Sequence, residues 1–300
     1  MKKFSGVGVA LITPFTDNGQ VDEISLRGLV DHVIKNGVDY LVALGTTSEA
    51  ATLSAEEKER VVNIIAEQNG GRLPLVLGVG GNNTQQVLQD LNTLPYVPQA
   101  DAILSVTPYY NKPSQEGLYR HFKMIAEKSP LPVILYNVPG RTSVNMAAQT
   151  TLRLAHDFKN IIGIKEASGN FEQATAILKD KPEKFLFISG DDGITLPLMS
   201  IGCCGVISVI ANALPKEFTT MVHLASEMKF EEARKIHFEL SELCKALFEE
   251  GNPAGIKAAL HLKKVIACNK LRTPLTEVSE KLYQKLTVQI NESWIRRLND

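Results

Sequence analysis

The chain of 300 residues has little cysteine, no excess of charge of one sign and no long apolar run. Its four cysteines are Cys203, Cys204, Cys244 and Cys268; two are adjacent and none forms a C-x-x-C pair. That spacing argues against a disulfide framework and against a zinc knuckle, and suits a reducing cytoplasm. Lys plus Arg number 32 against 33 for Asp plus Glu, a net charge of -1. So even a balance gives no global field for nucleic acid or an anionic membrane, and a charged substrate must be held by local groups. No stretch approaches the roughly 18 apolar residues of a membrane span. The six histidines (His32, His121, His156, His223, His237 and His261) are scattered, and no pair has metal-ligand spacing. This speaks against a zinc-dependent aldolase or hydrolase and predicts no metal site. Met1, Lys2 and Lys3 ahead of an apolar stretch faintly suggest a signal peptide. The stretch is short and broken by glycine, Pro14 follows, and no A-x-A site is present, so a first β-strand is expected instead.

What the chain does have is 44% hydrophobic residues in a chain long enough to bury a large core. Short runs rich in β-branched residues recur at 8–12, 40–44, 75–79, 102–106, 132–136, 161–165, 185–189 and 205–209. They are apolar on both parities, the mark of strands covered on both faces. Helical patterns fill most gaps. Ser54-x-x-Glu57 forms a capping box ahead of Val61, Val62, Ile64 and Ile65. Further helices are expected near 116–125, over 147–156 and, briefly, around 194–201. Strands alternating with helices in this number predict an α/β fold, a closed (β/α)8 TIM barrel; an open doubly wound sheet is the runner-up. Beyond Pro215 the strand signal stops and four helices are expected, at 216–229, 231–249, 254–268 and 278–291. The division is therefore residues 1–230 as barrel and 231–300 as a C-terminal helical extension.

Barrels of this kind place reactive groups at the carboxyl ends of strands. After the second run comes Gly45-Thr46-Thr47-Ser48-Glu49, which could present hydroxyl and N–H groups to a carboxylate or be an ordinary polar turn. Gly78-Val79-Gly80-Gly81-Asn82-Asn83 lacks the last spaced glycine of a dinucleotide fingerprint and reads as a tight turn. In Thr107-Pro108-Tyr109-Tyr110-Asn111-Lys112-Pro113, paired tyrosines sit between prolines, either to relay protons or to pack. Tyr136 ends the fifth run, where it would point into the barrel mouth, and Arg141 follows it, able to fork onto a substrate carboxylate; the alternative is a tyrosine covering the core and an arginine in a surface ion pair. Lys165 closes an apolar run. Desolvation disfavours an ammonium, and a neutral amine is the nucleophile a carbonyl needs. The alternative is a snorkelling lysine paired with Glu166. Asp191 and Asp192 after the seventh run would repel a phosphate.

Taken in order, five motifs resemble the dihydrodipicolinate synthase family of pyruvate-dependent class I aldolases. They are Gly45-Thr46-Thr47, Thr107 to Ser114, Tyr136 to Thr142, Gly163 to Ser168 and Gly205 to Asn212. The resemblance implies condensation of pyruvate with L-aspartate-4-semialdehyde to 4-hydroxy-tetrahydrodipicolinate, in lysine and diaminopimelate biosynthesis. It implies no cofactor, a cytoplasmic homotetramer built of tight dimers, and no nucleic-acid or membrane partner. Lys165 resembles the Schiff-base lysine. Tyr136, Thr46 and Tyr110 resemble the proton relay, with Tyr110 supplied by a neighbouring subunit. Thr47 would bind the pyruvate carboxylate, Arg141 the semialdehyde carboxylate, and Gly190 and Ile207 would shape the pocket. Ser48 departs from the glycine usual in the family, which would strain the turn if that position needs positive φ. N-acetylneuraminate lyase and other sister aldolases would share Lys165 and Tyr136; a silent keto-acid sensor is the reading from a different class.

Overall fold

Runs of β-branched residues favour extended backbone, and cover on both faces removes the need for polar alternation. In the computed structural model, which describes residues 2–298, these runs become eight strands. They are β1 (Gly6–Ala10), β2 (Tyr40–Ala43), β3 (Leu75–Gly78), β4 (Ala102–Val106), β5 (Val133–Asn137), β6 (Ile161–Glu166), β7 (Leu186–Ser189) and β8 (Gly205–Ser208). The strands follow one another in sequence order around a closed barrel. Pairing from β3 through β8 is parallel. The ring excludes the open doubly wound sheet.

Twelve helices accompany them among the described residues. They are α1 (Glu23–Lys35), α2 (Ala55–Asn69), α3 (Thr84–Thr93), α4 (Gln115–Lys128), α5 (Pro139–Thr142), α6 (Ala148–Asp157), α7 (Phe171–Asp180), α8 (Thr195–Ser200), α9 (Pro215–Ser226), α10 (Phe230–Ala246), α11 (Ala254–Leu262) and α12 (Glu280–Leu298). The architecture is a (β/α)8 barrel with C-terminal helices. No described helix is long and apolar enough to cross a membrane.

The chain divides into two closely packed units. The first comprises Met1–Gly8, Asp39–Val42 and Pro74–Ile207, and so holds nearly all of the barrel sheet. Its core is the strand interior, including Leu41, Leu77, Ile103, Leu135, Ile164, Phe187 and Val206. Helices α3 and α4, α4 and α6, and α6 and α7 pack in succession. The second unit comprises Val9–Val38, Ala43–Leu73 and Ser208–Asp300. Within it α1 packs on α2, α9 on α10, and both α10 and α11 on α12.

Several element boundaries differ from the sequence expectation, and two of them have a clear local reason. β1 begins at residue 6 because Gly6 N–H donates to Cys204 O at 2.9 Å and Val7 N–H to the Asp39 carboxylate at 2.7 Å. Leu11 and Ile12 remain buried, yet Ile12 N–H donates to the Asn212 side chain at 3.2 Å rather than to a strand. Helix α11 stops at Leu262, short of residue 268, because Lys264 takes a left-handed φ of 58°. Val265 N–H then reaches back to Leu260 O at 2.9 Å, and Lys264 N–H to His261 O at 2.9 Å. This is a Schellman stop with lysine where glycine usually signals it.

The expected start of α2 is present in full. Ser54 Oγ accepts from Glu57 N–H at 3.2 Å, and Glu57 Oε2 accepts from Ser54 N–H at 2.9 Å. Glu57 also receives both Arg272 terminal nitrogens, at 2.5 and 2.6 Å. These hydrogen bonds lower the Glu57 pKa from 4.5 to about 2, against a smaller opposing effect of burial. A carboxylate with a depressed folded pKa contributes fully above its unfolded value and loses that contribution as pH falls through its folded one. The stability gap between the parent chain and Glu57→Gln should therefore shrink as pH drops from about 4.5 toward 2. A gap independent of pH in denaturant titrations would refute this.

Closure of the barrel also crowds its strands. A Cβ on Gly8 would sit 2.1 Å from the ring of fully buried Tyr40. Overpacking of a core typically costs about 1–3 kcal/mol, more where the neighbour is rigid. Gly8→Ala should lower the denaturation midpoint with an unchanged slope; a parental midpoint would mean that Tyr40 repacks freely.

Candidate active site

Parallel register sets Tyr136 of β5 opposite Lys165 of β6, and Asn137 opposite Glu166. Both Tyr136 and Lys165 are buried, and Lys165 Nζ lies 4.4 Å from the centroid of the Tyr136 ring. Successive strand residues face opposite ways, so Glu166 points away from its neighbour. Its carboxylate accepts from Asn137 Nδ2 at 3.0 and 3.2 Å, from Gln173 Nε2 at 3.0 Å and from Ser168 N–H at 2.7 Å. The Lys165–Glu166 ion pair entertained from sequence is therefore replaced by a hydrogen-bonded carboxylate. Asn145 completes the group by accepting from Asn137 Nδ2 at 2.8 Å and donating to Gln173 Oε1 at 2.8 Å. Asn137 Oδ1 in turn accepts from Met146 N–H at 2.9 Å.

The same unit carries four more of the sequence candidates. Gly190 N–H donates to Glu166 O at 2.8 Å, directly after Lys165. A Cβ on Gly190 would lie 2.6 Å from Ala167 Cβ, so the close approach of these backbones requires glycine there. Ile207 is buried on β8. Arg141 is exposed on the short helix α5. Tyr110 stands apart from the buried pair: it is 89% exposed and held at a left-handed φ of 72°. Thr107 links the loop before it to β5, donating its N–H to Tyr136 O at 2.9 Å.

Thr46 and Thr47 belong to the second unit, on a one-turn 3₁₀ segment, Thr46–Ser48. Thr46 is exposed and Thr47 buried. Thr47 Oγ1 accepts from Asn252 Nδ2 at 3.0 Å. The substitution at Ser48 brings no left-handed strain, because Ser48 lies inside the 3₁₀ turn and its hydroxyl donates to Gly45 O at 2.7 Å. The residue that takes positive φ is Glu49, at 56°.

Glu49 meets Lys257 Nζ at 2.5 Å, with both side chains removed from solvent. The contact is an ion pair rather than an aligned hydrogen bond. Lys257 also donates to Lys270 O at 2.9 Å and lies 4.1 Å from the Phe15 ring centroid. Burial lowers its pKa from 10.5 to about 8, against the opposing pull of Glu49. Sequence reasoning passed over Asn137, Glu166, Asn252 and Lys257 as functional. Only Lys257 left a usable signal: one cation among Ala254, Gly255, Ile256, Ala258, Ala259 and Leu260, all buried.

An aliphatic amine held beside a phenol at the mouth of a barrel suits imine chemistry on a small carbonyl compound. Comparisons with known proteins show what the whole chain is similar to. A 4-hydroxy-tetrahydrodipicolinate synthase of Flavobacterium psychrophilum is 53% identical over 286 residues, 95% of this chain and 97% of its own. The protein of that name from Parabacteroides distasonis is 54% identical over 281 residues, 94% of each chain. The crystal structure of dihydrodipicolinate synthase from Thermotoga maritima superposes with a TM-score of 0.94 at 40% identity, covering 97% of this chain and 99% of that one. With a match to the family pattern that runs from residue 3 to residue 293, the chain belongs to the Dihydrodipicolinate synthetase family.

Proposed function

We propose that the chain condenses pyruvate with L-aspartate-4-semialdehyde through a Schiff base on Lys165, giving 4-hydroxy-tetrahydrodipicolinate for lysine and diaminopimelate biosynthesis. It is a lyase of its family. The observation that carries the mechanism is the buried Lys165 beside Tyr136 at the ends of β6 and β5. Relatives 53% and 54% identical bear the synthase name, which favours this reading over an N-acetylneuraminate lyase.

Lys165 Nζ attacks the ketone carbon of pyruvate, and loss of water leaves an iminium. The iminium draws electrons from the adjacent methyl group, which gives up a proton to form an enamine. The enamine carbon bonds to the aldehyde carbon, whose oxygen takes a proton. The substrate amine then attacks the iminium carbon and displaces the lysine, closing the ring. Tyr136, Thr46 and Tyr110 carry the protons; a hydrogen-bonded chain of hydroxyls does so without a free phenolate, although tyrosine ordinarily titrates near 10. Thr47 holds the pyruvate carboxylate, Arg141 that of the semialdehyde, and Gly190 and Ile207 bound the pocket.

The exposure of Tyr110 supports its service to a neighbouring copy in a homotetramer. Four free cysteines support a cytoplasmic setting. Residues 1–230 act as the catalytic barrel and 231–300 as its extension.

Pyruvate with borohydride should add a stable mass to the parent chain and none to Lys165→Ala; a full adduct on the variant would remove Lys165 from the role. In a coupled assay Arg141→Ala should lose roughly ten- to a hundredfold in use of the semialdehyde, the equivalent of a charge-assisted contact of about 1.5–3 kcal/mol. Imine formation with pyruvate should persist. Equal loss of both steps would make Arg141 a structural residue.

A further inference from the structure

We propose that Glu49, Lys257 and Asn252 are positioning residues that clamp the Thr46–Ser48 turn and fix the direction in which the Thr47 hydroxyl donates. The proposal rests on the reading of Thr47 as the binder of the pyruvate carboxylate.

Two residues of one segment are tied to two residues of another. Thr47 Oγ1 accepts from Asn252 Nδ2 at 3.0 Å, and Glu49 pairs with Lys257 Nζ at 2.5 Å. A threonine hydroxyl has one proton and two lone pairs. With a lone pair engaged by Asn252, the Thr47 proton is turned away from that amide and is directed as a donor toward another acceptor. A carboxylate, being ionised, is a strong charge-assisted acceptor for that proton.

Glu49 ends the turn in a left-handed conformation, φ 56° and ψ 34°. A non-glycine residue persists there only where its surroundings hold it. Here the surroundings do so on every side. Glu49 N–H donates to Thr46 O at 3.2 Å, and Glu49 O accepts from Thr52 N–H at 2.9 Å and Thr52 Oγ1 at 3.0 Å. One carboxylate oxygen pairs with Lys257, and the other accepts from Arg272 N–H at 3.1 Å. Lys257 is itself fixed, by Lys270 O and by the Phe15 ring. Arg272 lies over the same ring at 4.5 Å and grips Glu57. A buried ion pair is weak support for stability alone, because desolvation offsets its attraction. Its value here is geometric: it holds a strained backbone residue one position beyond the turn that presents two threonines.

The test uses the full chain, with the double variant Glu49→Gln/Lys257→Met, which removes both charges together, and with Asn252→Leu. Deuterium uptake over residues 44–53 should quicken by about tenfold or more in the double variant, the equivalent of one lost decade of local stability. Uptake over β5 and β6 should stay parental. In both variants the pyruvate KM should rise by about tenfold, one lost charge-assisted hydrogen bond, with the semialdehyde KM within about twofold. A parental pyruvate KM in both variants would make the clamp purely structural, and parental uptake over 44–53 would show that it does not hold the turn; either result overturns the proposal. If the double variant does not fold, Asn252→Leu decides by its pyruvate KM: a rise supports the proposal and a parental value sinks it. A parent chain that forms no imine with pyruvate would remove the functional reading, and the exchange measurement would still decide whether the clamp holds the turn.

Discussion

Consecutive residues of an extended strand face opposite ways, and at the end of β6 this separates Lys165 from Glu166 although they are bonded neighbours. Register with β5 then repeats the separation, with Tyr136 beside Lys165 and Asn137 beside Glu166. On one face an amine nitrogen lies against an aromatic ring. On the other, a carboxylate is saturated by Asn137, Gln173 and a backbone N–H. The polar network therefore locks the ends of both strands without supplying a counter-ion to the amine. A slip of one residue would exchange the two faces and put the carboxylate where the amine now lies.

The same strand ends are drawn close by absent side chains. A Cβ on Gly163 would lie 2.7 Å from both the Cβ and the carbonyl oxygen of Leu186, which leaves no room between β6 and β7 for anything larger. Gly190 performs the same service just beyond the end of β7, against Ala167. Interiors are packed too densely to absorb such overlaps by compression. Small residues thus set the spacing of the strands, and the spacing sets where Lys165 ends.

Much of this was legible in the chain. Strands were readable because burial on both faces writes a continuous apolar run, and the capping box at Ser54 announced α2. Lys165 and Tyr136 were readable because each ends such a run. Boundaries were less so: a run does not say where pairing stops, as Leu11 and Ile12 demonstrate by staying buried outside β1. The end of α11 was hidden because a lysine occupies the left-handed position. The partners were not legible at all. Asn137 and Glu166 are 29 residues apart, and Thr47 and Asn252 are 205 apart. Nothing in local composition marks which of several buried amides or carboxylates will meet after folding.

Two buried lysines show why that pairing matters for chemistry. Lys257 has a carboxylate at 2.5 Å and a carbonyl at 2.9 Å, and although burial lowers its pKa to about 8, it remains a protonated donor at neutral pH. Lys165, also buried, has an aromatic face beside its nitrogen instead. An aromatic face attracts a cation but offers no oxygen to hold each N–H in place. Among the described residues no carboxylate pairs with the Lys165 nitrogen. The chain contains both a Lys–Glu neighbour pair in sequence, at 165 and 166, and a Lys–Glu pair in space, at 257 and 49. Strand alternation breaks the first and folding makes the second. Which lysine keeps a carboxylate beside its nitrogen is decided by where the carboxylates go.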